Sequence, residues 1–314
     1  MREVTIGHNE SGQRLDKFLQ KYLKEASKSF LYKMLRKKNI KLNGKKAEGN
    51  EILSIGDTVS IFFSEETFSK FRGEAKEVPY PQKKLDILYE DDNIAIINKP
   101  AGVLSQKAKN SDTTLVECFL GYLQQSGQWH ADEAFTPGIC NRLDRNTSGV
   151  VIAGKSLQGL QEMSELLRLR KIDKYYVTIV EGVMKKSSII RGYLEKDEKT
   201  NKVTIYEREA AGRTYIETAY EPLMDNGAFT LLRVKLITGK THQIRSHLSS
   251  IGHPLMADVK YGGKKVEGER SFFLHACEVN FPQMEQPFEK ISNLVVRAPL
   301  PPRFEQMKRK LFGK

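Results

Sequence analysis

The chain has 314 residues, 39% of them hydrophobic, and a net charge of +12, which is long enough for two packed domains and ordinary for a globular rather than a disordered protein. Its three cysteines, Cys118, Cys140 and Cys277, are far apart, which excludes a Cys-x-x-Cys metal or redox site and fits a reducing compartment. No apolar run approaches the roughly 18 residues needed to span a bilayer, and the start, Met1 to Ile6, has no apolar signal core, so a cytoplasmic location is expected.

Residues 1–12 show no clear periodicity and are expected to form a tail. Over 14–48 the chain carries twelve basic residues against three acidic ones, a local charge of +9. Charge concentrated in this way suits a polyanion better than a solvated face, which interleaves its signs. Leu15, Phe18, Leu19, Tyr22 and Leu23 have helical spacing. Ser29 is a candidate cap for a second helix that turns Leu31, Met34 and Leu35 inward and Lys33, Arg36, Lys37 and Lys38 outward. Ile40 and Leu42 alternate into the turn signal Asn43-Gly44, and Val59, Ile61 and Phe63 alternate again.

This basic unit, expected over 13–66, resembles the alpha-L RNA-binding module of small-subunit ribosomal protein four. Arg14 to Leu19, Ser29 to Arg36, Ile40 to Lys45 and Gly56-Asp57 carry the likeness. The resemblance implies structured RNA as partner, with Lys33, Arg36, Lys37 and Lys38 on the RNA-facing helix.

Residues 67–84 are polar, contain Pro79 and Pro81, and read as a linker. From 85 to 314 a second domain is expected. Leu85–Tyr89 and Ile94–Asn98 read as a hairpin, and Leu115, Phe119, Tyr122 and Leu123 as a helix with Asp112 as a candidate cap. Val150–Ala153 reads as a buried strand, Leu157 to Leu167 as a helix, and Tyr175–Val180 and Phe229–Leu236 as strands. Phe304, Met307 and Leu311 mark a short amphipathic helix that packs on the domain. The irregular alternation predicts an α+β fold: the small alpha-L domain, then a catalytic domain on a mixed, mainly antiparallel sheet with flanking helices.

Asn141 to Gly149, Asn-Arg-Leu-Asp-Arg-Asn-Thr-Ser-Gly, follows Pro137-Gly138 and precedes a buried strand, so it reads as a loop on rigid support. Asp144 lies close to Arg142 and Arg145, neighbours that favour a charged carboxylate. From the residues alone, a structural Arg–Asp cluster is an equal reading.

The loop resembles the Arg-Leu-Asp-x-x-Thr-Ser-Gly signature of the RluA family of pseudouridine synthases. Asn98-Lys99-Pro100-Ala101-Gly102, Lys174-Tyr175-Tyr176 and Thr238 to Arg245 match further motifs in order, followed by His253-Pro254 and Asp258. With the basic module in front, the chain is similar to the RluC/RluD-like branch. Asn141 stands where the family usually has His, and Lys240 where it often has Arg.

The resemblance implies site-specific isomerisation of uridine to pseudouridine, most naturally in large-subunit (23S) ribosomal RNA. The alternatives are the same reaction on transfer RNA, or a non-catalytic RNA-binding assembly factor. It assigns Asp144 as the essential carboxylate, Arg245 as its partner and Tyr176 as the active-site aromatic. Arg142 matches the family position that probes the helix beside the flipped base; Arg145, a planar cation, is expected at phosphate or ribose. Asp144 either attacks C1′ or removes the C2′ proton. The reaction moves neither electrons nor phosphate, and no phosphate loop or dinucleotide glycine pattern is present, so no cofactor or metal is expected. His242 is expected near the pocket, Leu143 and Ile244 in its wall or core, and the chain as a monomer.

Overall fold

The computed structural model describes residues 1–7, 9–73, 80–109, 112–131 and 133–313. Part of the expected linker, residues 74–79, lies outside the described residues.

In chain order the first unit is β1 (Arg2–Thr5), α1 (Leu15–Tyr22), α2 (Lys28–Arg36), β2 (Ile40–Leu42), β3 (Lys45–Lys46), β4 (Thr58–Ile61) and α3 (Glu65–Arg72). Its sheet runs β1-β4-β2-β3. Leu15, Phe18 and Leu19 of α1 meet Leu31 and Leu35 of α2 and Ile40, Val59 and Ile61 of the sheet in one apolar core. Asn43 (φ 50°) and Gly44 (φ 72°) make the turn between β2 and β3 in the left-handed region.

Three local expectations change. Residues 2–5, read as tail, pair with β4, because Val4 and Ile6 complete the apolar edge of the unit. The cap of α2 is Ser27, whose side chain accepts from Phe30 N, and Ser29 lies inside the helix. Residues 65–72, read partly as linker, are helical. Their sequence has little periodicity, and tertiary contacts hold them: Phe68 is buried, Phe71 stacks on Phe30 at 4.2 Å, and Arg72 lies 3.9 Å over Tyr22.

The second unit is β5 (Ile87–Glu90), β6 (Ile94–Lys99), α4 (Leu115–Gln125), β7 (Gly138–Ile139), β8 (Ser148–Gly154), α5 (Leu157–Arg168), β9 (Asp173–Glu181), β10 (Ser188–Asp197), β11 (Lys202–Tyr206), β12 (Thr214–Asp225), β13 (Phe229–Leu236), α6 (Gln243–Ser250), β14 (Leu274–Asn280), β15 (Val295–Arg297) and α7 (Pro302–Phe312). Among the described residues the strands form an eleven-stranded sheet, β11-β10-β12-β13-β9-β14-β8-β6-β5, with β15 on β14 and β7 on β8. The β14–β8 pair is parallel and the other pairs are antiparallel. The fold is therefore the expected α+β arrangement.

Alternation along the strands separates two cores. Ala95, Ile97, Val151, Ala153, Tyr176 and Val234 join Phe119 of α4 and Leu248 of α6 on one face. Ile94, Ile96, Val150 and Ile152 join Met163 and Leu166 of α5 on the other. With both faces covered, β8 is buried at every residue, which explains the continuous apolar run seen there. Gly149 (φ 109°) sits where a Cβ would stand 2.1 Å from Ala276 O, so only glycine lets β8 and β14 approach. The cap of α4 is Thr114, in a reciprocal capping box with Glu117. Asp112 accepts instead from the backbone N–H groups of Ala108 and Lys109. α7 packs through Phe304 and Met307 on Ile179 and Phe273.

Candidate active site

The loop before β8 is fixed from several directions. Ser105 Oγ donates to Leu143 O at 2.7 Å and accepts from Leu143 N at 3.0 Å. Gly102 N donates to Arg145 O at 2.8 Å. Lys99, fully buried, donates from Nζ to Pro100 O, Val103 O and Arg145 O at 3.0, 2.8 and 3.1 Å. Burial pushes the Lys99 ammonium down to about 7, and the charge of Asp144 opposes that shift. Asn141 Oδ1 accepts from Ile152 N at 2.8 Å and ties the loop to β8. Sequence reasoning gave no role to Lys99 or Ser105; each reaches a backbone atom of the loop some forty residues away, Lys99 at Arg145 and Ser105 at Leu143.

The second half of the site comes from the start of α6. Gln243 is buried and binds the sheet: its Nε2 donates to Glu217 O and Thr218 Oγ1, both at 3.0 Å. Its Oε1 accepts from Thr238 Oγ1 at 2.9 Å and Lys240 N at 3.1 Å. One turn on, His247 Nδ1 meets Thr218 Oγ1 at 3.0 Å. This anchored helix holds Arg245, which is 6% exposed.

Arg245 Nη1 donates to Asp144 Oδ2 at 3.1 Å, across 101 residues of sequence. Arg245 Nε and Nη2 donate to Asp258 Oδ2 and Oδ1 at 2.7 and 2.8 Å, a bidentate pair that aims the remaining nitrogen at Asp144. Phe272 and Tyr261 lie over the guanidinium at 4.2 and 4.9 Å. Asp144 is a quarter exposed, and its Oδ1 makes no hydrogen bond with any described residue. One carboxylate oxygen is thus held and the other is open to a substrate. His242 Nε2 lies 3.9 Å from the held oxygen.

The expectation that Arg142 and Arg145 supply the charge beside Asp144 is corrected. Both side chains are exposed, and Arg145 Nη2 instead lies 3.8 Å from Asp112. Adjacent side chains on a loop diverge, whereas Arg245 converges on Asp144 from another element. Tyr176, on β9, is buried in the same apolar cluster as Leu143 and Ile244. Burial, then the charge of Asp144, pushes the Tyr176 phenol well above its ordinary range, so it keeps its proton at neutral pH. Lys33, Arg36, Lys37 and Lys38 are exposed on and just after α2, and none forms an ion pair with a described residue. Among the described residues no cluster of three His, Cys, Asp or Glu is placed to hold a metal ion, and no helix is long and apolar enough to cross a membrane.

An α+β sheet domain that carries a carboxylate–guanidinium pair thus follows a small basic module, an arrangement compatible with an enzyme that acts on a polyanion. The sequence profile of RNA pseudouridylate synthase matches residues 93–250, and that of the S4 domain matches residues 13–59. An uncharacterized RNA pseudouridine synthase of Mycoplasma capricolum is 30% identical over 302 residues, covering 94% of this chain and 97% of that protein. Ribosomal large subunit pseudouridine synthase C of Escherichia coli is 31% identical over 297 residues, covering 88% of each. The solved structure of human RNA pseudouridylate synthase domain containing 4 superposes with a TM-score of 0.59 at 24% identity, covering 72% of this chain and 92% of that one, and agrees in fold. The chain belongs to the RNA pseudouridylate synthase family, enzymes that isomerise uridine to pseudouridine within RNA.

Proposed function

We propose that this protein isomerises specific uridines of large-subunit ribosomal RNA, with Asp144 as the essential carboxylate. The observation that carries the reading is the Asp144–Arg245 contact at 3.1 Å, with Arg245 pinned from behind by Asp258. The name carried by the similar Escherichia coli protein supports a ribosomal substrate.

The reaction breaks the bond from C1′ to N1, turns the uracil and rejoins it through C5. The open Oδ1 of Asp144 suits either attack on C1′ or removal of the C2′ proton. Arg245 fixes the direction of the carboxylate and balances its charge. Tyr176 presents a ring face and an O–H to the uracil. A uridine in folded RNA must leave its stack to reach Asp144, at a cost of a few kcal/mol. Exposed Arg142 is placed in this reading at the vacated gap, and Arg145 at phosphate or ribose. The module over 13–66 holds RNA through Lys33, Arg36, Lys37 and Lys38, and 85–314 carries the chemistry. The protein acts as a monomer, and a ribosomal substrate places it in the cytoplasm.

Single-nucleotide pseudouridine mapping of RNA from cells with and without the gene tests this reading. The expected result is loss of defined large-subunit sites, restored by the wild type and not by Asp144→Asn. Loss confined to transfer RNA would move the substrate assignment, and no change in any RNA would favour an RNA-binding assembly factor.

A further inference from the structure

His242 stands beside Asp144, and the chemistry assigned to Asp144, Arg245 and Tyr176 leaves it without a task. Its backbone is left-handed, φ 54° and ψ 17°, a conformation that non-glycine residues adopt rarely and that cores and sites must enforce. The ring lies with Nε2 3.9 Å from Asp144 Oδ2. That gap is too wide for a direct hydrogen bond, yet an oxygen about 2.8 Å from each atom would bridge the two.

The surroundings of the other ring nitrogen favour one tautomer. His242 Nδ1 lies 2.8 Å from Tyr261 Oη. The same Tyr261 oxygen accepts a hydrogen bond from Val203 N at 3.2 Å. Val203 belongs to β11, the edge strand of the sheet. A backbone N–H can only donate, so the phenol accepts from Val203 and has one proton left to give. Burial raises the Tyr261 phenol, so that proton is retained. His242 Nδ1, 2.8 Å away, is the acceptor in reach of that proton among the described residues. Burial also lowers His242, which keeps the ring neutral near neutral pH. In a neutral imidazole whose Nδ1 accepts, Nε2 carries the hydrogen. The relay from Val203 through Tyr261 therefore turns an N–H toward the space beside Asp144.

In either chemical route the Asp144 carboxylate acts at C1′ or at the hydrogen on C2′. The 2′-hydroxyl, bonded to C2′ and one carbon away from C1′, lies beside both positions, and it also distinguishes RNA from DNA. We propose that His242 is a substrate-contacting, specificity-determining residue: its Nε2–H donates to the 2′-hydroxyl of the flipped uridine and bridges it to Asp144, while Tyr261 positions the ring. This inference rests on the reading of Asp144 as the carboxylate that meets the sugar.

The test uses a synthetic stem-loop RNA built around one mapped target uridine, with that nucleotide as uridine or 2′-deoxyuridine, under single turnover. The wild type should convert the deoxy substrate about tenfold more slowly, the size of one missing neutral hydrogen bond. His242→Ala should be slower on uridine and nearly indifferent to the 2′-hydroxyl, and His242→Gln should restore part of the discrimination. Tyr261→Phe, which keeps the ring and removes the relay, should fall between. An unchanged uridine-to-deoxyuridine ratio in folded His242→Ala would overturn the proposal, including the case of uniform slowing, which assigns the donor to the uracil. Nitrogen-15 shifts of the His242 ring in the free enzyme give an arm independent of turnover: the hydrogen on Nε2 in the wild type is expected, and on Nδ1 would overturn it. If the wild type fails to convert the uridine RNA, the reading of function fails, while the ring measurement still decides the relay.

Discussion

The basic face of α2 and the guanidinium of Arg245 use one kind of charge in opposite ways. Lys33, Arg36, Lys37 and Lys38 are exposed and form no ion pair with a described residue. Their attraction for a polyanion is long-ranged, indifferent to sequence and weakened by salt. Arg245 is buried, with Nε, Nη1 and Nη2 each committed to a carboxylate oxygen. Its contribution is directional and little screened. The contrast separates the two tasks of an RNA-modifying enzyme: one region gathers the polymer, and the other fixes a single carboxylate against a single sugar. Substitutions in the two regions should therefore fail differently, in affinity for the first and in turnover for the second.

Asp144→Asn gives the largest expected effect. Turnover at saturating RNA should fall on the order of a thousandfold or more, because the amide neither attacks C1′ nor takes a proton. RNA affinity should stay within about twofold, since the gathering surface is untouched. Filter binding alongside single-turnover product analysis checks both halves; retained turnover would break the comparison at its centre.

Asp258→Ala comes next. It removes the bidentate partner that aims Arg245 and leaves a buried guanidinium with one carboxylate. Loss of one member of a buried ion pair costs about 3–5 kcal/mol of stability. Turnover should drop about 10- to 100-fold with little change in RNA affinity, because a slightly misdirected group costs about that much. Denaturant melts and single-turnover rates test this; an unchanged rate would show that Asp144 alone is enough to orient Arg245.

The quadruple change of Lys33, Arg36, Lys37 and Lys38 to Ala should produce the converse. Affinity should weaken, and the slope of log K against log salt should become shallower by about 3–4, close to one for each phosphate no longer neutralised. Turnover at saturating RNA should stay near wild type. An unchanged salt slope would mean that RNA does not lie on α2.

How much of this was legible in the sequence follows the same division. The α2 face is a local property: its cations, their spacing and the inward Leu31, Met34 and Leu35 all lie within a few turns. The strands that bury one or both faces, such as β8 and β13, also announce themselves. β10, β11 and β12 did not; on β10 and β12 apolar side chains on the open side blur the alternation, and Ile189, Tyr215 and Leu223 are among the exposed large hydrophobics. That region supplies Val203 and Thr218, which hold Tyr261 and His247. The supporting roles around the site were equally invisible, although Lys99 and Gln243 lie within matched motifs. Lys99 and Ser105 bind loop carbonyls and amides, and Gln243 binds β12. None of these hydrogen bonds has a sequence period. The motif resemblance named Arg245 as the partner of Asp144, whereas adjacency pointed to Arg142 and Arg145. Local neighbours are the wrong guide where a pair closes across a fold.

His247 offers the smallest effect and ties stability to the catalytic helix. The ring is buried on α6 and meets Thr218 of β12 through Nδ1, while its Nε2 is buried without a hydrogen-bond partner among the described residues. Burial lowers its pKa from 6.5 to about 4. Below 6.5 the unfolded chain takes up a proton that the folded chain refuses until about 4. The unfolded state therefore holds more protons across that window, and stability falls as pH drops through it and rises as pH climbs back. The full contribution is about 3 kcal/mol, set by the size of the shift. Carboxylates titrate in the same range, so the informative quantity is the difference between the wild type and His247→Gln in denaturant melts at pH 7 and pH 4.5. The variant should lose less on acidification. Equal losses would mean that the α6–β12 contact admits a charged ring, and that the helix carrying Arg245 is held by Gln243 rather than by the His247 contact.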